Sequence, residues 1–130
     1  MDTSHSVLVV DDSQVTLQIV TRLLQACGFS DISHAESGAS ALRMMREKQY
    51  RLVFSDVNMG DMHGVELLRA VRSDARLADS CFVLMTTLRH RDVIEAARRY
   101  QADAIIMKPF TSEVLKCKLD DLEKLRARAN

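Results

Sequence analysis

Short apolar runs recur along the chain, each followed by a stretch whose apolar residues fall at helical spacing. The runs are Ser6–Val10, Asp31–Ala35, Leu52–Ser55, Cys81–Thr86 and Ala104–Met107. Four of them, all but the second, read as nearly continuous apolar segments, which is what strands covered on both faces of a parallel sheet require. Asp31-Ile32-Ser33-His34-Ala35 alternates instead, which fits an edge strand.

The intervening segments carry helix signals. Ser13 is a suitable N-cap, Leu17, Val20, Leu24 and Cys27 form a stripe, and Gly28 is a natural stop. Ser37 or Gly38 opens a second helix with Leu42 and Met45 inward. Leu67, Leu68 and Val71 mark a third, and Val93, Ala97 and Tyr100 a fourth. Thr111 starts a fifth, with Leu115, Leu119, Leu122 and Leu125 as its stripe. Five strand–helix units joined by right-handed crossovers predict an α/β fold: a five-stranded parallel sheet, doubly wound as (βα)5, with helices on both faces.

The 130 residues suit one domain spanning 1–130, and no linker or low-complexity segment divides them. With no second domain, output is expected through this domain's own surface. Eighteen basic residues balance eighteen acidic ones, so nothing suggests a nucleic-acid surface. No apolar run approaches the roughly 20 residues that span a membrane, and Met1–Ser6 lacks the apolar core of a secretory signal, so a cytoplasmic location is expected. Cys27, Cys81 and Cys117 have neither disulfide nor zinc spacing and read as small buried hydrophobes.

Polar chemistry gathers where the strands end. Asp11 and Asp12 close the first run, Asp56 follows the third, Thr86 ends the fourth and Lys108-Pro109 follows the fifth. Open parallel sheets bind ligands at the carboxyl ends of their strands. Clustered carboxylates there suit Mg²⁺, and a lysine beside them suits an anion, so the set points to chemistry on a phosphoryl group. Asp56 is the candidate nucleophile, because a carboxylate can form an aspartyl phosphate. Asp11 and Asp12 are candidate metal ligands, and Asn58, two residues past Asp56, is placed to add its backbone carbonyl.

Val9-Val10-Asp11-Asp12-Ser13, Asp56-Val57-Asn58-Met59, Gly64 eight residues beyond Asp56, Thr86 and Lys108-Pro109-Phe110 follow in one order and spacing. With these motifs the chain resembles, over essentially its whole length, the receiver domain of two-component response regulators, the flavodoxin-like or CheY-like fold. The resemblance implies that Asp56 is the phosphoacceptor, charged by a sensor histidine kinase or phosphotransfer protein. It implies Mg²⁺ held by Asp11, Asp12, Asp56 and the Asn58 carbonyl, contacts from Thr86 and Lys108 to the phosphoryl group, and a cis Lys108-Pro109 peptide. It further implies an output partner on the face formed by helix 4, strand 5 and helix 5, and only self-directed phosphotransfer and dephosphorylation rather than turnover of a substrate.

Some positions depart from the family's usual pattern. Gly60 stands where proline is common, Thr87 where a very small residue is common, and Ile105 where a switching aromatic is common. Stiff Thr87 and apolar Leu88 are expected to slow both phosphoryl entry and loss. Arg89, Arg91, Arg98 and Arg99 crowd the fourth helix, as a solvated face helped by Glu95–Arg99 or as a partner surface. Met59 and Met62 read as loop packing, and His63 is near enough to Asp56 to tune access. Two alternatives compete. A receiver that binds partners without phosphorylation would not need the intact acidic and basic set. An aspartyl-phosphate phosphatase of the haloacid-dehalogenase type would want Asp-x-Asp, not the adjacent Asp11-Asp12, and room for a cap.

Overall fold

The structure, a computed structural model, describes residues 2–59, 62–87 and 91–129. Strands and helices alternate: β1 (Val7–Val10), α1 (Gln14–Ala26), β2 (Ile32–Ala35), α2 (Gly38–Glu47), β3 (Leu52–Asp56), α3 (Gly64–Ser73), β4 (Cys81–Thr86), α4 (Arg91–Arg99), β5 (Ala104–Met107) and α5 (Ser112–Ala129). All pairings are parallel and the sheet order is β2-β1-β3-β4-β5. The order reverses direction at β1, so a crevice opens between β1 and β3 at their carboxyl ends.

Two apolar layers cover the sheet. On one face Val7, Val9, Phe54, Val83 and Met85 pack against Leu17, Val20 and Leu24 of α1 and Leu115, Leu119 and Leu122 of α5. On the other, Leu8, Val10, Val53, Phe82 and Leu84 meet Ala41 and Met45 of α2, Leu67, Leu68 and Val71 of α3 and Ala97 of α4. Strand side chains alternate between the layers, which is why β1, β3 and β4 read as unbroken apolar runs. Each large side chain buried in these layers contributes about 1.5–3 kcal/mol relative to leaving it in water.

Local signals set the helix starts. The Ser13 hydroxyl accepts from the Thr16 N–H, as expected of an N-cap, and the Ser37 hydroxyl accepts from the Ser40 N–H, so Ser37 caps a helix that starts at Gly38. Thr111 does the same for α5 through the Val114 N–H. Gly28 follows α1 at φ +104, a conformation that costs a side chain dearly.

Three expectations need correction. β5 is not covered on both faces: only Ile106 is buried and Met107 is exposed, because β5 is the second edge of the sheet. Leu125 leaves the buried stripe of α5 and is 56% exposed, because α5 outruns the sheet it packs on. Of the cysteines only Cys81 is buried; Cys27 is half-buried at the end of α1, and Cys117 faces solvent on α5. The Lys108–Pro109 peptide is cis.

A second polar anchor lies at the opposite end of the sheet. Arg72 donates to the carbonyls of Gln101, Ala78 and Ser80 and to the Asp103 carboxylate, which also accepts the Phe82 N–H. One guanidinium thus ties α3 to the entries of β4 and β5, and nothing in the sequence reading singled it out.

Candidate functional site

Parallel register brings the strand ends level. Val10 pairs with Ser55, Asp56 with Met85, and Thr86 with Met107. The residues just beyond therefore share one rim: Asp11 after β1, Asp56 at the end of β3, Thr86 at the end of β4 and Lys108 after β5. Main-chain bonds hold that rim, with Asp11 N–H donating to Ala35, Val57 N–H to Met85 and Lys108 N–H to Thr86.

Lys108 Nζ lies 2.9 Å from Asp56 Oδ1 and 3.3 Å from Asp11 Oδ2. Asp11 is buried, and its other oxygen accepts the Ser13 N–H at 2.9 Å. Asp12 is exposed and Asp56 half-buried. Asp11, Asp12 and Asp56 each offer a carboxylate oxygen, and these lie within 4.8 Å of one another. Three hard oxygen donors converging at that spacing fit a divalent cation that keeps part of its water shell.

Burial pushes the Asp11 carboxyl above the usual carboxylate range; the Ser13 N–H opposes this, the Asp56 charge adds to it and Lys108 opposes it. For Lys108, burial is the largest single effect and favours loss of the proton. The hydrogen bond and charge of Asp56, joined by Asp11, outweigh it, so the ammonium's pKa ends above the ordinary lysine value. The lysine is therefore firmly cationic, and the acids crowd each other.

Thr86 is buried at the end of β4. Asn58 is exposed in the loop after β3, between buried Val57 and Met59. Met59 sits in the core, and Met62 lies against Gly38 of α2, which is the packing role expected of both. His63 precedes α3 and its Nδ1 faces the Met59 N–H at 3.4 Å, so it braces the loop. Thr87 is exposed on the rim. Arg99 lies over the Tyr100 ring, with Arg69 over the same ring, and not on Glu95. Gly60, Leu88 and Arg89 lie outside the described residues. Sequence reasoning missed Ser55, fully buried, whose hydroxyl donates to the Asp56 carbonyl at 3.0 Å. Its only signal was a hydroxyl inside an apolar run.

A five-stranded parallel sheet with alternating helices, carrying three acids and a lysine at its carboxyl rim, defines a protein of the flavodoxin-like class. The sequence profile of the response regulator receiver domain matches residues 7–120, so the chain belongs to that family. It is similar to the chemotaxis protein CheY of Pseudomonas aeruginosa, 36% identical over 124 residues that cover 95% of this chain and 98% of the relative. The chemotaxis protein CheY-3 of Vibrio cholerae is 33% identical over 122 residues, covering 94% of each. Among solved structures, Vibrio cholerae CheY4 superposes with a TM-score of 0.85 at 29% identity, covering 92% of this chain and 98% of that one. Receiver domains of this kind are signalling modules of two-component systems, and among the described residues no helix is long and apolar enough to cross a membrane.

Proposed function

We propose that the protein is a phosphorylation-switched receiver whose Asp56 carboxylate takes a phosphoryl group from a phosphohistidine of a sensor kinase or phosphotransfer protein. A carboxylate oxygen of Asp56 forms the new O–P bond as the donor's P–N bond breaks, and the released imidazole nitrogen keeps the electron pair and takes up a proton. Hydrolysis by water returns Asp56 and inorganic phosphate. The observation that carries this reading is the 2.9 Å contact of Lys108 with Asp56 at the rim shared with Asp11.

Asp11, Asp12 and Asp56 would hold Mg²⁺, with the Asn58 carbonyl as a further ligand. When bound, that ion offsets the repulsion between an anionic nucleophile and an anionic donor. Lys108 then neutralises a phosphoryl oxygen, and the Thr86 hydroxyl reports its presence to β5 and α4. In this reading the chemistry is self-directed, confined to loading and unloading Asp56.

Output through the α4–β5–α5 face is supported on its β5 and α5 side by a groove of about 400 Å³ whose lining includes Ile105, Met107, Pro109, Phe110, Val114 and Lys118. Met107 and Val114 are exposed apolar side chains there. A cytoplasmic location belongs to the same proposal and is supported by the likeness to CheY proteins. Acetyl phosphate with Mg²⁺ should add one phosphoryl group, seen by intact-protein mass spectrometry, and Asp56→Asn should gain none. Equal labelling of the variant would overturn the assignment of Asp56.

A further inference from the structure

The first residue of α3 touches the backbone of the residue that carries the reactive carboxylate. A Cβ built on Gly64 would stand 2.2 Å from the Asp56 carbonyl oxygen, 3.0 Å from its carbonyl carbon and 3.1 Å from Ser55 Oγ. The obstacle is main chain, and it is tied down. Its oxygen accepts the Ser55 hydroxyl, the next N–H is bonded to Met85, and Gly64's own N–H donates to Val57 at 2.9 Å. Gly38 differs, because its crowding comes from the Met62 side chain and not from the Asp56 peptide.

We infer that the Asp56 carbonyl is a seat, bonded by Ser55 and packed flush by Gly64, and that these two are positioning residues for the Asp56 carboxylate. The inference rests on Asp56 being the phosphoacceptor. The Asp56 side chain springs from the peptide that the seat holds, so the seat sets where its oxygens stand relative to Lys108 and Asp11. A Cβ on Gly64 must retreat by about 0.8 Å to reach even the 3.0 Å that real contacts require. Either the Asp56 peptide or the start of α3 moves, and the loop bearing Asn58 moves with them. Displacing a reacting group by about 1 Å costs on the order of 100-fold in rate.

A glycine needed only for helix packing would, on substitution, lower stability and nothing else. Gly28→Ala supplies that comparison: it is strained at φ +104, sits at the far end of α1, and should lose stability while keeping its labelling rate. The test measures three quantities on Gly64→Ala, Ser55→Ala and Gly28→Ala at matched folded fraction: the rate of labelling by acetyl phosphate, Mg²⁺ affinity by NMR titration, and the urea midpoint. Gly64→Ala should be labelled roughly 100-fold more slowly and bind Mg²⁺ more weakly. Ser55→Ala adds no volume, should fold, and should slow labelling several-fold. Wild-type rate and affinity in folded Gly64→Ala would overturn the seat. If Gly64→Ala does not fold, Ser55→Ala decides by the same readouts. A wild type that takes no phosphoryl group would defeat the phosphoacceptor reading instead, and unchanged Mg²⁺ affinity in both variants would then still defeat the seat.

Discussion

Lys108→Ala removes the cation between two carboxylates, and the structure says how much should follow. At 2.9 Å an ion pair in an effective dielectric near 20 gains about 6 kcal/mol gross. Desolvation of the lysine offsets much of that. Breaking a fully buried pair costs about 3–5 kcal/mol, and losing an exposed one about 0.2–1. The side chains of Lys108 and Asp56 are 18% and 13% exposed, between those cases, so the expected loss is about 2 kcal/mol without metal. Asp11 and Asp56 would then repel each other unscreened, and Mg²⁺ would become the cation that relieves them. Because Lys108 no longer competes for those oxygens, the variant should bind Mg²⁺ more tightly than the wild type. Saturating Mg²⁺ at 100 times its Kd stabilises by about 2.7 kcal/mol, enough to restore the variant. Urea unfolding with EDTA and across a Mg²⁺ series tests this. Equal stability of the two proteins in EDTA, or identical stabilisation by Mg²⁺, would refute the reasoning.

Thr86→Ala should still be labelled, yet beryllofluoride should no longer spread NMR shifts into residues 91–110; identical spreading would contradict the relay. Thr87→Ala should speed both labelling and phosphate loss, since the Thr87 side chain stands exposed at the rim and not in the core; unchanged rates would remove it as a gate. Asp11→Asn should alter the pH dependence of stability. The folded Asp11 pKa is raised above 3.8, so its contribution is present below 3.8 and lost as pH rises through the raised value. The metal-free variant should therefore gain on the wild type across that window, by urea midpoints. Gln101→Gly should stabilise by roughly 0.5–1 kcal/mol, because Gln101 holds φ +63 and its bond to Arg72 uses only the backbone carbonyl; a lower melting temperature would refute it.

Strand ends and helix starts were legible because they are local. Apolar runs stop where Asp11, Asp56 and Lys108 begin, and Ser13 and Ser37 cap the helices they precede. Those patterns determined the (βα)5 order and nominated the acids and the lysine. The sequence could not measure their meeting. Asp11 and Lys108 are 97 residues apart, and their contact depends on the register of four strands and on the order that places β1 beside β3. Burial was misjudged where tertiary limits decide it. β5 is apolar enough for a central strand, yet among the described residues no strand pairs beyond it, and Leu125 keeps the helical stripe past the edge of the sheet. Arg72 and Ser55 were invisible for a related reason: each serves main-chain carbonyls, and a carbonyl leaves no mark in the sequence. Gly64 could be read as a motif position, but only the approach of α3 to the Asp56 carbonyl explains why a hydrogen must stand there in place of a methyl group.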